Sequence, residues 1–183
     1  MKRRIKQRQM TFGEYCTLYA NGAVQNHAEI MATAPKPRRL CGRYLPESLD
    51  TMTMGTLAEV MKVTEDTKLL TTIYNVTTSE LMTEWALDVI GTLRWTADEL
   101  KRITELFSQL ERELTADEIM AGAEQMKGDI FTTINWFVRY SNGKYSHDEV
   151  LKVPWVIVWR CARDCQQAEE YRQRLHNIQN QRR

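Results

Sequence analysis

Residues 96–114 read TADELKRITELFSQLEREL, and this stretch decides the fold class. Leu100, Ile103, Leu106, Phe107, Leu110 and Leu114 recur at spacings of three and four, while Lys101, Arg102, Glu105 and Glu111 fall elsewhere. Spacing of that kind lines one face of an amphipathic helix with apolar side chains. Thr96 and Glu99 form a capping box in front of it: the hydroxyl takes an unpaired amide of the first turn and the carboxylate reaches back to the cap's own amide. The same phrase occurs at Thr11/Glu14, Thr77/Glu80, Thr115/Glu118 and Ser146/Glu149, so five helix starts are punctuated along the chain.

Upstream, Leu81, Trp85, Val89 and Ile90 predict a helix after Thr77. Downstream, Thr115 opens a short helix ended near Gly128, and Ile130, Ile134, Phe137 and Val138 define another, stopped by Ser141-Asn142-Gly143. A last long helix starts near Val153-Pro154-Trp155, where proline suits the first turn because its missing amide has no partner to lose. Its stripe runs through Trp155, Val158, Trp159, Ala162, Cys165, Tyr171, Leu175 and Ile178 as polar residues thicken.

The first third is less regular. A short helix over Thr11 to Ala20 is closed by Asn21-Gly22, and Ala34-Pro35-Lys36-Pro37-Arg38-Arg39 with Pro46 reads as a linker or extended arm. Leu69 to Val76 is the one β-leaning run, equally compatible with helix. Met10-Thr-Phe-Gly and Met52-Thr-Met-Gly are similar phrases, as are the Thr-Ala-Asp-Glu runs at Thr96 and Thr115. Neither pair extends into the period a solenoid requires, so both read as recurring helix-start chemistry. The predicted fold is all-α: a compact bundle of about five or six helices over residues 50–183, with its long C-terminal helix, behind an irregular basic N-terminal arm over residues 1–49.

The chain of 183 residues is 43% hydrophobic and 27% charged, ordinary globular usage that excludes collagen-like and wholly disordered classes. Mean hydropathy is −0.50 and no stretch approaches about 18 uncharged apolar residues, so a soluble protein is expected. The basic start has no apolar run behind it, so secretion is not expected either. Net charge is +1, but residues 1–43 carry nine Lys/Arg against Glu14 and Glu29, residues 44–150 carry nine against nineteen acids, and residues 151–183 carry seven against three. Basic ends around an acidic middle fit tails lying on the chain's own body or a second copy's, and they also fit a nucleic-acid contact. Lys2, Arg3, Arg4, Lys6 and Arg8 have no interleaved aromatics and form no nucleic-acid module, which favours the first.

Cys16, Cys41, Cys161 and Cys165 are too few for a disulfide framework and read as reduced thiols. Cys161 and Cys165 share a helical face, and no third ligand stands at zinc spacing, so core packing is the reading rather than metal binding. His27, His147 and His176 are isolated, and no nucleophile–base–acid trio or phosphate-binding loop is present. The paired carboxylates Glu65-Asp66, Asp98-Glu99, Asp117-Glu118 and Asp148-Glu149 suit first helical turns, where negative charge meets the helix dipole. An enzyme is therefore not expected, and no catalytic residue, metal or cofactor is assigned. Five tryptophans and nine methionines at helical spacing read mainly as core. Trp155 and Trp159, one turn apart beside Pro154, read as an apolar partner contact, and Lys2, Arg3, Arg4, Lys6 and Arg8 as an electrostatic one.

Residues 115–175 carry a resemblance. The chain reads Leu114-Thr-Ala-Asp-Glu-Ile-Met-Ala-Gly122, then Gly128-Asp-Ile-Phe-Thr-Thr-Ile-Asn-Trp136, then His147-Asp-Glu-Val-Leu-Lys-Val-Pro-Trp155, and closes on Glu170-Tyr-Arg-Gln-Arg-Leu175. This is similar to small proteins of the tail-gene region of tailed bacteriophages and prophages, of the tail assembly chaperone type. In them a helix introduced by Asp-Glu-Val-Leu-x-x-Pro-aromatic follows a helical body. The resemblance implies a non-enzymatic morphogenesis protein that binds a tape-measure or tail-tube protein and keeps it soluble, in the bacterial host cytoplasm or as part of the virion. The basic extension before Thr11 departs from that pattern and leaves a connector or other structural subunit open, with self-association. The alternative is a nucleic-acid-binding accessory or regulatory protein using the basic arm. No membrane contact is expected.

Overall fold

The computed structural model describes residues 10–110, 119–120 and 130–181. The Lys2–Arg8 cluster, the Thr115/Glu118 box and the helix ending at Gly128 lie outside the described residues. Among the described residues the chain is all-α, with nine helices and one two-stranded hairpin. Contacts group the described residues up to Leu49 with Lys62–Lys101 in a first unit, and Asp50–Met61 with the described residues from Arg102 on in a second.

The first unit opens with α1 (Phe12–Ala20), whose Thr11 and Glu14 form the expected reciprocal cap. Asn21 caps its C-terminus and Gly22 takes a left-handed φ of 69°. After α2 (His27–Thr33) the chain forms the hairpin β1 (Arg39–Leu40) and β2 (Arg43–Tyr44), in register Arg39 to Tyr44. Both turn residues, Cys41 and Gly42, have positive φ (48° and 77°), as the twist of a two-residue hairpin turn demands.

Of the β-leaning run, Leu69 to Tyr74 is helical, within α4 (Asp66–Tyr74), which Asn75 ends at φ 53°. Thr77 and Glu80 cap α5 (Thr78–Thr83) as predicted. The helix expected to continue through Trp85 instead stops at an extended Glu84 (ψ 163°). Residues 84–86 bridge to residues 10–12: Phe12 N–H donates to Glu84 O (2.8 Å) and Ala86 N–H to Met10 O (2.9 Å). Only then does α6 (Ala86–Ser108) begin, so Thr96 lies inside a helix rather than in front of one. Its hydroxyl is wholly buried and meets Tyr74 Oη at 2.8 Å, while Glu99 accepts from Leu49 N–H at 2.9 Å. The apolar period runs unbroken from Ala86 through Val89, Ile90 and Leu93 to Ile103, and burying that one stripe outweighs a local cap.

The segment read as an arm and linker is built into this unit. Phe12, Tyr15, Ala34 and Leu40 share a core with Leu70, Leu81, Val89 and Ile90. Residues 34–37 strap against α6: Arg94 donates to Ala34 O (3.2 Å), and Lys36 Nζ lies 3.4 Å from the Trp95 ring centroid. Gly91 makes the approach possible, since a Cβ there would stand 2.0 Å from Pro35 O.

In the second unit, α3 (Met54–Val60) is capped by Thr53. α7 (Ile130–Tyr140) packs on α3 and on α8 (His147–Val150), which the Ser146/Glu149 box starts as predicted. α9 (Trp155–Gln181) follows a bridge of Thr53 to Pro154. Met54, Leu57, Ile103, Ile134, Val150, Trp155 and Val158 are at most 1% exposed and form its interior. Among the described residues seven helices fall within residues 50–183, α3 and α4 being short ones that apolar periodicity did not single out.

Candidate functional site

Pro154 precedes α9 as predicted, and its bridge to Thr53 places Trp155 N–H on Met52 O (3.0 Å). That geometry turns the first indole of the proposed contact inward. Trp155 is 0% exposed, 5.9 Å from the Phe107 ring and 5.7 Å from the Arg102 guanidinium. Trp159, one turn on, is 9% exposed and donates its indole N–H to Leu106 O (2.8 Å). The expected apolar contact of Trp155 and Trp159 is therefore corrected: both rings are interior, where an indole finds apolar area with a partner for its N–H. Pro154 is half-buried. The electrostatic candidates Lys2, Arg3, Arg4, Lys6 and Arg8 lie outside the described residues.

The exposed apolar surface lies further along the same helix. At about 1.5 Å per residue, the 27 residues of α9 extend roughly 40 Å. Buried residues occur only at Trp155, Val158 and Trp159, in its first two turns. Beyond them Tyr171, Leu175 and Ile178 are 61%, 41% and 48% exposed. Their spacing of four and three puts them on one face, so a continuous apolar stripe meets water. Arg172 pairs with Glu169 at 3.5 Å, an exposed contact worth little by itself. A helix without tertiary packing is marginal in water, so this stripe is where a partner would be most stabilising.

The first unit carries a second apolar feature. A hollow of about 690 Å³ is lined by Met10, Tyr15, Leu18, Val24, Ile30 and Trp85, among others. Trp85, read from spacing as part of a buried stripe, is exposed at its rim with Leu87 beside it, because the bridge at residues 84–86 breaks the helical phase on which that reading relied. Tyr15 Oη meets His27 Nδ1 at 2.6 Å, and burial raises the Tyr15 phenol. Burial also raises the Asp88 carboxyl, helped by the charge of Glu84.

Several titratable groups elsewhere among the described residues make local structural contacts. Burial, then the charges of Glu84 and Glu80, pushes the Cys41 thiol up to about 11, so it is protonated and weakly nucleophilic at neutral pH. Burial pushes Tyr74 up to about 12, against the opposing hydrogen bond to Thr96. His147 Nε2 meets Asn135 Oδ1 at 2.7 Å, and His176 meets Asn180 at 2.9 Å. Cys161 and Cys165 lie half-buried near Tyr140, whose phenol is raised first by a hydrogen bond with Cys165. Among the described residues no three His, Cys, Asp or Glu side chains gather as a metal site would need, and no helix is long and apolar enough to cross a membrane. Compared with known proteins, the chain matches no family model, no curated protein and no solved structure.

Proposed function

We propose that this chain is a non-enzymatic protein acting through protein–protein contact, in the phage or prophage morphogenesis role that its resemblance to tail assembly chaperones implies. The observation that carries the reading is the exposed stripe of Tyr171, Leu175 and Ile178 on α9. An apolar face of this kind suits a client that must be kept from aggregating until it assembles, such as a tape-measure or tail-tube protein. The site of action would be the bacterial cytoplasm during assembly, or the virion if the contact persists.

The test is coexpression of the full chain with phage tape-measure and tail-tube proteins. Wild type is expected to keep one of them soluble, and a Tyr171→Ser, Leu175→Ser, Ile178→Ser variant is expected to lose that effect while keeping its own helicity. An apolar contact should also change little with salt. Client solubility that is independent of the stripe would overturn the reading. A steep loss of DNA or RNA binding with salt, abolished by removing residues 1–9, would establish the nucleic-acid alternative instead.

A further inference from the structure

Two places in the chain use one docking geometry. Thr11 and Thr53 stand ahead of α1 and α3 with nearly the same backbone angles, φ −72°, ψ 159° and φ −74°, ψ 157°. Each hydroxyl accepts an amide three residues on, from Glu14 and Thr56. Each threonine is also the centre of an antiparallel bridge, Thr11 to Trp85 and Thr53 to Pro154. The apolar residue that follows donates its N–H across the bridge, Phe12 to Glu84 O at 2.8 Å and Met54 to Val153 O at 2.9 Å. The methionine ahead accepts in return, Met10 O from Ala86 at 2.9 Å and Met52 O from Trp155 at 3.0 Å. The glycine that closes each phrase is pressed on a carbonyl: a Cβ at Gly13 would lie 3.1 Å from Met82 O, and one at Gly55 would lie 3.0 Å from Leu151 O.

The frames that receive these phrases also match. An asparagine at φ 53° lies between the preceding helix and each capping box, Asn75 directly after Tyr74 and two residues before Thr77, Asn142 two residues after Tyr140 and four before Ser146. Leu81 and Val150, each following its box glutamate, are both 0% exposed, as are Val89 and Val158 in the long helices. From box to long helix the correspondence runs without a gap, Thr77 to Ser146 and Val89 to Val158. Helix-start chemistry accounts for a threonine and its cap. It does not account for a glycine against a carbonyl, nor for paired hydrogen bonds to the residues that precede another helix.

We infer that the chain holds two copies of one recognition module, in which a frame of capping-box helix, bridge residue and long helix is a docking site for a segment of the class Met-Thr-apolar-Gly. Both docking segments precede both frames in the chain, so each frame takes its segment by recognition and not by adjacency. Backbone hydrogen bonds supply the attachment, and the glycine supplies the selectivity, because any side chain there meets a main-chain oxygen.

The experiment vacates the first site and refills it. In the full chain, Gly13→Leu is expected to lower the hydrogen-exchange protection of the Phe12 and Ala86 amides at least tenfold while Met54 and Trp155 keep theirs. A synthetic peptide of residues 10–20 is expected to bind that variant saturably and restore Ala86 protection. The same peptide with its glycine replaced by leucine should bind at least tenfold more weakly. Equal binding of the two peptides, or no binding of either, would overturn the inference. Should Gly13→Leu fail to fold, Gly13→Ala and Gly55→Ala provide the second reading. Each is expected to deprotect only its own pair of amides, and joint loss in both units or no change in either rejects the module.

Discussion

The first unit and the second hold matching backbone frames with different fillings. In the first, the residue that opens the long helix is Ala86, and much of the apolar volume arrives from elsewhere in the chain: Leu40 from the hairpin, Ala34 from the strap that lies on Gly91. In the second, the residue at the same place is Trp155, whose indole occupies the interior beside Phe107, with Trp159 one turn behind. Caps and bridges of one kind thus recur in both units, while the side chains buried beside them differ.

The largest effect is expected from removing the second unit's filling. Trp155→Ala deletes a wholly buried indole and should cost about 3–5 kcal/mol in denaturant unfolding. Amide protection in the first unit should outlast that of Val158; simultaneous loss would mean that the two fillings are not independent. Next comes the strap. Gly91→Ala places a methyl group into Pro35 O and should cost about 1–3 kcal/mol, with the Trp95 emission shifting as Lys36 leaves its ring. Unchanged stability and emission would show that the strap is not what closes the first unit.

The smallest effect sharpens the likeness of the frames. Thr77→Ala and Ser146→Ala should each cost about 1 kcal/mol, equal within error, because both hydroxyls serve the same cap. Glu80 and Glu149 are both held below the usual carboxylate value, first by the amide and then by the hydroxyl of the cap residue. A folded pKa below the unfolded one contributes stability above the ordinary carboxylate range, and that contribution is lost as pH falls through the folded value. Carboxyl titration by NMR should therefore show both glutamates shifted down together, and a shift in only one would separate the frames.

How far such features can be read before folding depends on range. Thr11, Thr77 and Ser146 cap the helices that their spacing announced, since donor and acceptor are only three residues apart. Thr96 and Glu99 carry the same spacing, yet their side chains are taken by Tyr74, 22 positions away, and Leu49, 50 positions away. The prolines at 35 and 37 mark a stretch outside any helix, but proline describes its own φ and says nothing of the helix it lies on. Trp155 and Trp159 were legible as large apolar residues on one helical face, and whether that face met solvent or Phe107 was not.

Helical class, the capped starts after Thr11, Thr77 and Ser146 and the two Met-Thr-apolar-Gly phrases all follow from chemistry acting over one or two turns, and a linear reading recovers them. Which indole is interior, which stripe is left in water and which frame receives which phrase depend on contacts between residues tens of positions apart. Those contacts are selected by competition for buried volume and for main-chain partners, a competition that exists only once the whole chain is in place.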